Sequence, residues 1–274
     1  NVVTAVDSIS KDLQNFENPH VFCKDNQATK GGCIFVDGSS TRNLRVHANG
    51  CKAGAVGGQD GSGGAFYLQR STTTSVTNFQ ISYSLFESNV ASQSGGGMYI
   101  SGNVTFHVDD SIAKDNQAAV GGAMAVVGIV NQESTVSVLS TTFEGNVATK
   151  INGDGGAMVA TMANIRIRSS TFLRNKVLST GRGGAISYAG FKRQREMHIE
   201  GTTFEENVAR LGGALYMKDT RMSTNSDVEF KSNVAESGGA IYVETLDNNM
   251  RSRAASSMMT LNQLRLRLNQ GSKN

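Results

Sequence analysis

The chain has 274 residues, with 31 glycines, one proline, 38% hydrophobic and 18% charged residues. Glycine enrichment without proline excludes collagen and a Pro/Gly linker, and so low a charge excludes a strongly charged disordered chain. The 26 basic and 23 acidic residues leave a formal charge of +3, too balanced to indicate a nucleic-acid partner. No apolar run approaches the roughly 20 residues of a membrane-spanning helix.

In chain order, residues 1–20 carry no repeated motif and include Pro19, so they read as a cap or lead-in. Three cysteines follow at 23, 33 and 51, without CxxC spacing and with only four histidines in the chain, so zinc is not expected. One disulfide with an odd thiol and three buried free thiols are both open. Across residues 21–249 two motifs alternate. The first is Phe-x-x-Asn, at Phe86/Asn89, Phe143/Asn146, Phe172/Asn175, Phe204/Asn207 and Phe230/Asn233. Degenerate copies are Cys23/Asn26, Val46/Asn49, Ala113/Asn116 and Leu266/Asn269. The second is Gly-Gly-Ala-apolar, starting at Gly63, Gly121, Gly155, Gly183, Gly212 and Gly238, with variants at Gly31 and Gly95. Successive pairs lie 26 to 34 residues apart. Residues 250–274 line up weakly with one more repeat and read as a degenerate or truncated last coil, or as a divergent cap.

The segments between motifs are short, β-branched and alternating, as in Ile165-Arg-Ile-Arg168. That is the pattern of strands, because a helical repeat needs longer segments of period 3.6. One such unit cannot bury its apolar face, whereas stacked copies bury a continuous core. The expected architecture is all-β, a right-handed, single-stranded parallel β-helix of about nine coils at roughly 4.8 Å per coil. Phe143, Phe172, Phe204 and Phe230 are expected to form one buried column. A bend between Phe and Asn would turn both inward, so that Asn89, Asn116, Asn146, Asn175, Asn207 and Asn233 form an amide ladder. Alternatively, each Asn points outward and caps a turn. The glycine pair supplies positive φ and room for close approach at a corner, and longer spacings such as 54–62 read as loop insertions.

Phe-x-x-Asn alternating with Gly-Gly-Ala-apolar resembles the polymorphic membrane protein repeat of chlamydial surface autotransporters, over roughly residues 20–245. The resemblance implies a right-handed parallel β-helix, export from the cytoplasm, and a role as adhesin or surface structure. The chain contains no stretch recognisable as a translocating barrel.

Enzymes on a β-helix need carboxylates gathered on one outer face. In the strand after each glycine pair, the first outward slot holds Phe35, Tyr67, Tyr99, Ala125, Val159, Ser187, Tyr216 and Tyr242. The next holds Asp37, Gln69, Ser101, Val127, Thr161, Ala189, Lys218 and Glu244, with no two acids on neighbouring coils. The doublets Asp109-Asp110 and Glu205-Glu206 read as solvated turns. His20, His47, His107 and His198 are scattered, and no nucleophile motif or phosphate loop is present. Thr142, Thr171 and Thr203 could face ice, but three rungs are too few. No catalytic, cofactor or metal residue is assigned. Tyr67, Tyr99, Tyr216 and Tyr242 are candidate contacts for a partner protein or glycan, or else a ladder that only stabilises the sheet. As an outward residue, Tyr216 is expected to tolerate truncation far better than the buried Phe172. Asn103-Val-Thr105 is a glycosylation sequon, meaningful only for a protein secreted by a eukaryote.

The expected function is that of a non-enzymatic extracellular or cell-surface protein, an adhesin or a structural rod. Its partners would be other proteins of a surface assembly or glycans. The alternative is a carbohydrate-active enzyme, a polysaccharide lyase or hydrolase, or a sugar-binding module.

Overall fold

The structure is a computed structural model. It describes residues 20–37, 42–54, 61–70, 77–129, 132, 134–178, 180–190 and 195–244, with short backbone strands between 259 and 271. The lead-in before residue 20 and residues 55–60 of the insertion lie outside the described residues.

The chain is a parallel β-helix. One repeat shows how it is built. Met158–Thr161 follows a glycine pair, Asn164–Arg168 lies on a second face, and Thr171–Leu173 carries the phenylalanine. The two-residue strand Lys176–Val177 then leads to the next pair. Each strand pairs in parallel with its counterpart one repeat away, as Met158 does with Ile186 and Phe143 with Phe172. Among the described residues the glycine-side sheet has eight strands, from Ile34–Asp37 to Ile241–Glu244. The second face and the phenylalanine face join into one sheet through the long strand Arg42–Asn49, whose two halves pair with Thr77–Ser82 and Leu85–Glu87.

Among the described residues the stack makes about seven turns rather than the nine expected. Nine counted every phenylalanine slot, but the slots at the two ends belong to partial turns. The first begins on the phenylalanine face at His20–Lys24, and Leu264–Arg267 extends that face beyond the last described glycine-side strand.

Alternation explains the strands. Val104–Asp109 buries every second residue, which fills the core from one pleat and leaves polar side chains on the other. The core is one column of rungs. Phe143, Phe172, Phe204 and Phe230 are fully buried, and their rings stack 4.8, 4.9 and 4.8 Å apart. Tyr188 also enters the core, where its hydroxyl donates to the Ala163 carbonyl at 2.7 Å.

The corners need unusual backbone. The residue before each ladder Asn has positive φ, as at Ser88 (55°), Asp115 (56°), Arg174 (53°), Glu206 (56°) and Ser232 (55°). This single left-handed residue is the bend that turns both Phe and Asn inward. The glycine pair works at the opposite corner, in two ways. Gly183 has φ of 65°, and a Cβ on Gly184 would lie 2.1 Å from the Gly213 carbonyl oxygen of the next coil.

One repeat copy is shifted from its expected place. Phe86 pairs with Ala48, not Val46, so the slot in that coil is filled by Ala48 and the ladder position by Cys51. Val46 lies two residues earlier on the same inward pleat, which is why the sequence pattern misleads. Cys51 is disulfide-bonded to Cys33 across Cα atoms 6.1 Å apart, and Cys23 is a buried free thiol.

Candidate functional site

The six asparagines come together on a single line. Each is fully buried. The Asn89 amide nitrogen donates to Asn116 Oδ1 at 3.0 Å, and the pattern continues through Asn146, Asn175 and Asn207 to Asn233. Each Oδ1 also accepts a backbone N–H from the preceding coil, as Asn175 Oδ1 does from Asn146 at 3.0 Å and Asn89 Oδ1 from Cys51 at 2.9 Å. The second amide hydrogen goes to a carbonyl of the phenylalanine strand, as from Asn175 to Phe143 at 2.9 Å. Every buried donor and acceptor of the side chain is thereby matched.

A second polar line runs beside it, which the sequence reading missed. Ser84, Ser111, Thr141, Ser170 and Thr202 are buried at the turn two residues before the phenylalanine slot. Each hydroxyl donates to the carbonyl two residues back, as Ser170 does to Arg168 at 2.7 Å. Several also accept a backbone N–H from the neighbouring coil, as Ser84 does from Val46 at 2.8 Å. The signal was a Ser or Thr at constant offset from Phe, masked by the more conspicuous threonines next to it. Those, Thr142, Thr171 and Thr203, do stack in register and are half-buried.

The aromatic outward column differs from its expected environment. Its side chains leave the outer pleat, yet Tyr67 is only 3% exposed and Tyr216 only 2%. The turn preceding each glycine pair supplies part of the cover. Lys30 lies over the Tyr67 ring at 5.2 Å and the Arg182 guanidinium over Tyr216 at 4.9 Å. Tyr67 is further enclosed by stacking on Phe35 at 5.4 Å and on Tyr99 at 4.7 Å. Tyr216 stacks on Tyr242 at 5.9 Å. Tyr99 and Tyr242 are half-buried. The expectation that Tyr216 tolerates truncation therefore loses its premise, and Tyr67 is buried in the same way, because an outward pleat position is covered when a turn folds across it.

Charged groups gather around the second pair. Arg182 makes a bidentate pair with Asp154, at 2.7 and 2.9 Å, and its Nη1 lies 3.4 Å from the Tyr216 hydroxyl. That hydroxyl donates to Glu244, whose other oxygen accepts from Lys218 at 2.8 Å. Burial, then the hydrogen bond to Glu244, pushes the Tyr216 hydroxyl well above its ordinary range. Hydrogen bonds from Lys218 and Tyr216 hold the Glu244 carboxyl below its own. Asp154 and Arg182 occupy the slot before the glycine pair, a column separate from the outward slots of the strand that follows it. The first aromatic group is built alike: Lys30 stands over the covered Tyr67, and Gln69 donates to Asp37 at 2.9 Å beside it.

Asn103 lies between Met98–Ser101 and Val104–Asp109 and is 8% exposed, its Oδ1 buried without a hydrogen-bond partner. Asp109 accepts from Gln80 at 2.7 Å, and burial raises its pKa, while Asp110 is exposed. Among the described residues no group of three or more His, Cys, Asp or Glu is placed to hold a metal ion, and no helix is long and apolar enough to cross a membrane.

Comparison with known proteins places the repeat. The family model of the Chlamydia polymorphic membrane protein repeat matches residues 227–244, one unit running from the Phe230 strand through the Gly238 pair. The resemblance read from the two motifs thus holds at the level of the repeat. A curated protein of Dictyostelium discoideum, the metabotropic glutamate receptor-like protein R, is 30% identical over 127 residues, which is 46% of this chain and 7% of that protein. This chain therefore spans a small part of the length of that relative. No solved structure matches this chain.

Proposed function

We propose that this chain is a non-catalytic β-helix module of a cell-surface or extracellular protein, acting as an adhesin or as a rod within a larger surface assembly. The observation that carries this reading is the division of labour between pleats. Inward positions repeat from coil to coil and are committed to stacking and to the asparagine ladder, while outer positions vary along the rod. A scaffold of this kind presents an extended face whose residues can change without disturbing the core. The match to the polymorphic membrane protein repeat supports a surface setting. The Cys33–Cys51 bond fits an oxidising compartment. That a similar stretch forms a small part of a longer receptor-like protein fits a module serving a larger whole.

Absence of turnover is part of the proposal. Its support is that the charges nearest the aromatic face are tied to one another, Asp154 to Arg182 and Lys218 to Glu244. A Tyr216 hydroxyl pushed upward in pKa is the wrong way round for a general base. Incubation with acidic and neutral polysaccharides, followed by ultraviolet absorbance and reducing-end assays, tests this. No product is expected, and saturable cleavage that survives repurification would establish the carbohydrate-active alternative instead.

A further inference from the structure

The two aromatic groups on the glycine-side sheet repeat one design. Each has a covered tyrosine, Tyr67 or Tyr216, beneath a cation from the preceding turn, Lys30 or Arg182. Each covered ring stacks on a half-buried tyrosine, Tyr99 or Tyr242. Each has a hydrogen-bonded polar pair in the adjacent slot, Gln69 with Asp37 or Lys218 with Glu244. The coils between them carry small or aliphatic residues in the same slots, Ala125, Val159 and Ser187 beside Val127, Thr161 and Ala189. The half-buried rings, Tyr99 and Tyr242, stand on strands five steps apart in the sheet order, which is about 24 Å at roughly 4.8 Å per strand.

We propose that these groups are paired anchor points for a neutral, linear saccharide chain lying along the rod. Three features select that ligand. Aromatic rings accept the apolar faces of sugar rings, and planar Asp, Glu, Gln and Arg groups beside them match vicinal hydroxyls. Charge is balanced within each group, Lys30 against Asp37, and Arg182 and Lys218 against Asp154 and Glu244, which provides no net field to attract a sulfated or uronic chain. The mutual pairing of the polar groups holds them in place before a ligand arrives, so little ordering is needed on binding. A protein strand would bind through free edges, whereas these groups lie on the face of a paired sheet. Two similar anchors at fixed spacing favour a polymer that can reach both, since the second contact is then intramolecular.

This inference rests on the binding reading above and deepens it. Calorimetry with dimers and hexamers of neutral glucan, mannan and N-acetylchitin series tests it, with reducing-end assays on the same samples. At least one series is expected to bind, its hexamer at least about tenfold tighter than its dimer. Tyr99→Ala and Tyr242→Ala should each bring the hexamer down towards dimer affinity, with Tyr242→Phe retaining binding. Glu244→Gln and Lys218→Gln should weaken binding while leaving the aromatic stack, and circular dichroism melts verify that all variants are folded. No binding by any series, or binding unaffected by all these substitutions, overturns the proposal. Cleavage of the oligomers would instead overturn the non-catalytic reading, so the two failures are distinguishable.

Discussion

Asn175 shows how much one side chain holds. Its Oδ1 accepts the backbone and side-chain N–H of Asn146, and its Nδ2 donates to Asn207 and to the Phe143 carbonyl. Asn175→Ala leaves several buried groups without partners, each worth about 1–3 kcal/mol, so a loss of at least about 3 kcal/mol is expected in urea denaturation. Phe172→Ala should cost about 3–5 kcal/mol, and Tyr216→Ala a comparable amount, because both rings are buried. A Tyr216 variant with an unchanged denaturation midpoint would contradict the burial of this ring. Glu206 offers the opposite sign. It holds φ of 56°, a conformation costing about 1–2 kcal/mol for a residue with Cβ, so Glu206→Gly should raise stability by up to about 1 kcal/mol.

Titration at the residue scale has a direction as well. Burial raises the hydroxyl pKa of both Tyr188 and Tyr216 above the ordinary value of 10.0. A folded-state pKa above the unfolded one gives stability that is complete below about pH 10 and is lost as pH rises further. Thermal melts between pH 8 and pH 11 should show this decline, and Tyr188→Phe should flatten it.

Among the elements, the strands were the most legible part. Alternation and the motif interval placed the Phe and Asn slots of the regular coils, and the register of Phe143, Phe172 and Phe204 follows them. Legibility failed where one pattern fits two registers. Val46 and Ala48 share a pleat, and only the pairing of Ala48 with Phe86 decides which fills the slot. It failed again where burial comes from a turn. Spacing identifies the outer pleat at Tyr216, but not that Arg182, from the previous coil, lies across it. At that shifted coil the asparagine is replaced by Cys51, whose bond to Cys33 spans a sequence separation of 18. Closing a loop of this size contributes about 3 kcal/mol. Reduction, or Cys33→Ala, should therefore lower the melting midpoint, with hydrogen exchange accelerating first in Ile34–Asp37 and Lys52–Ala53.

For the whole molecule, about seven turns at roughly 4.8 Å give a rod about 34 Å long through its described coils. All its named strand pairs link neighbouring repeats in parallel, so each coil rests on the next, as in other one-dimensional arrays. The asparagine line adds something the sheets do not. Every Nδ2 from Asn89 to Asn207 points to the Oδ1 of the next coil, in the same sense throughout. The amide dipoles therefore add head to tail along the rod axis, giving the interior an electrical polarity whose positive sense runs towards the later coils. Each dipole polarises its neighbours, so an interior rung is strengthened from both sides and an end rung from one. The chain of amides consequently behaves as one coupled line rather than a set of separate ties: Asn146→Ala should lower the urea denaturation midpoint more than Asn89→Ala does.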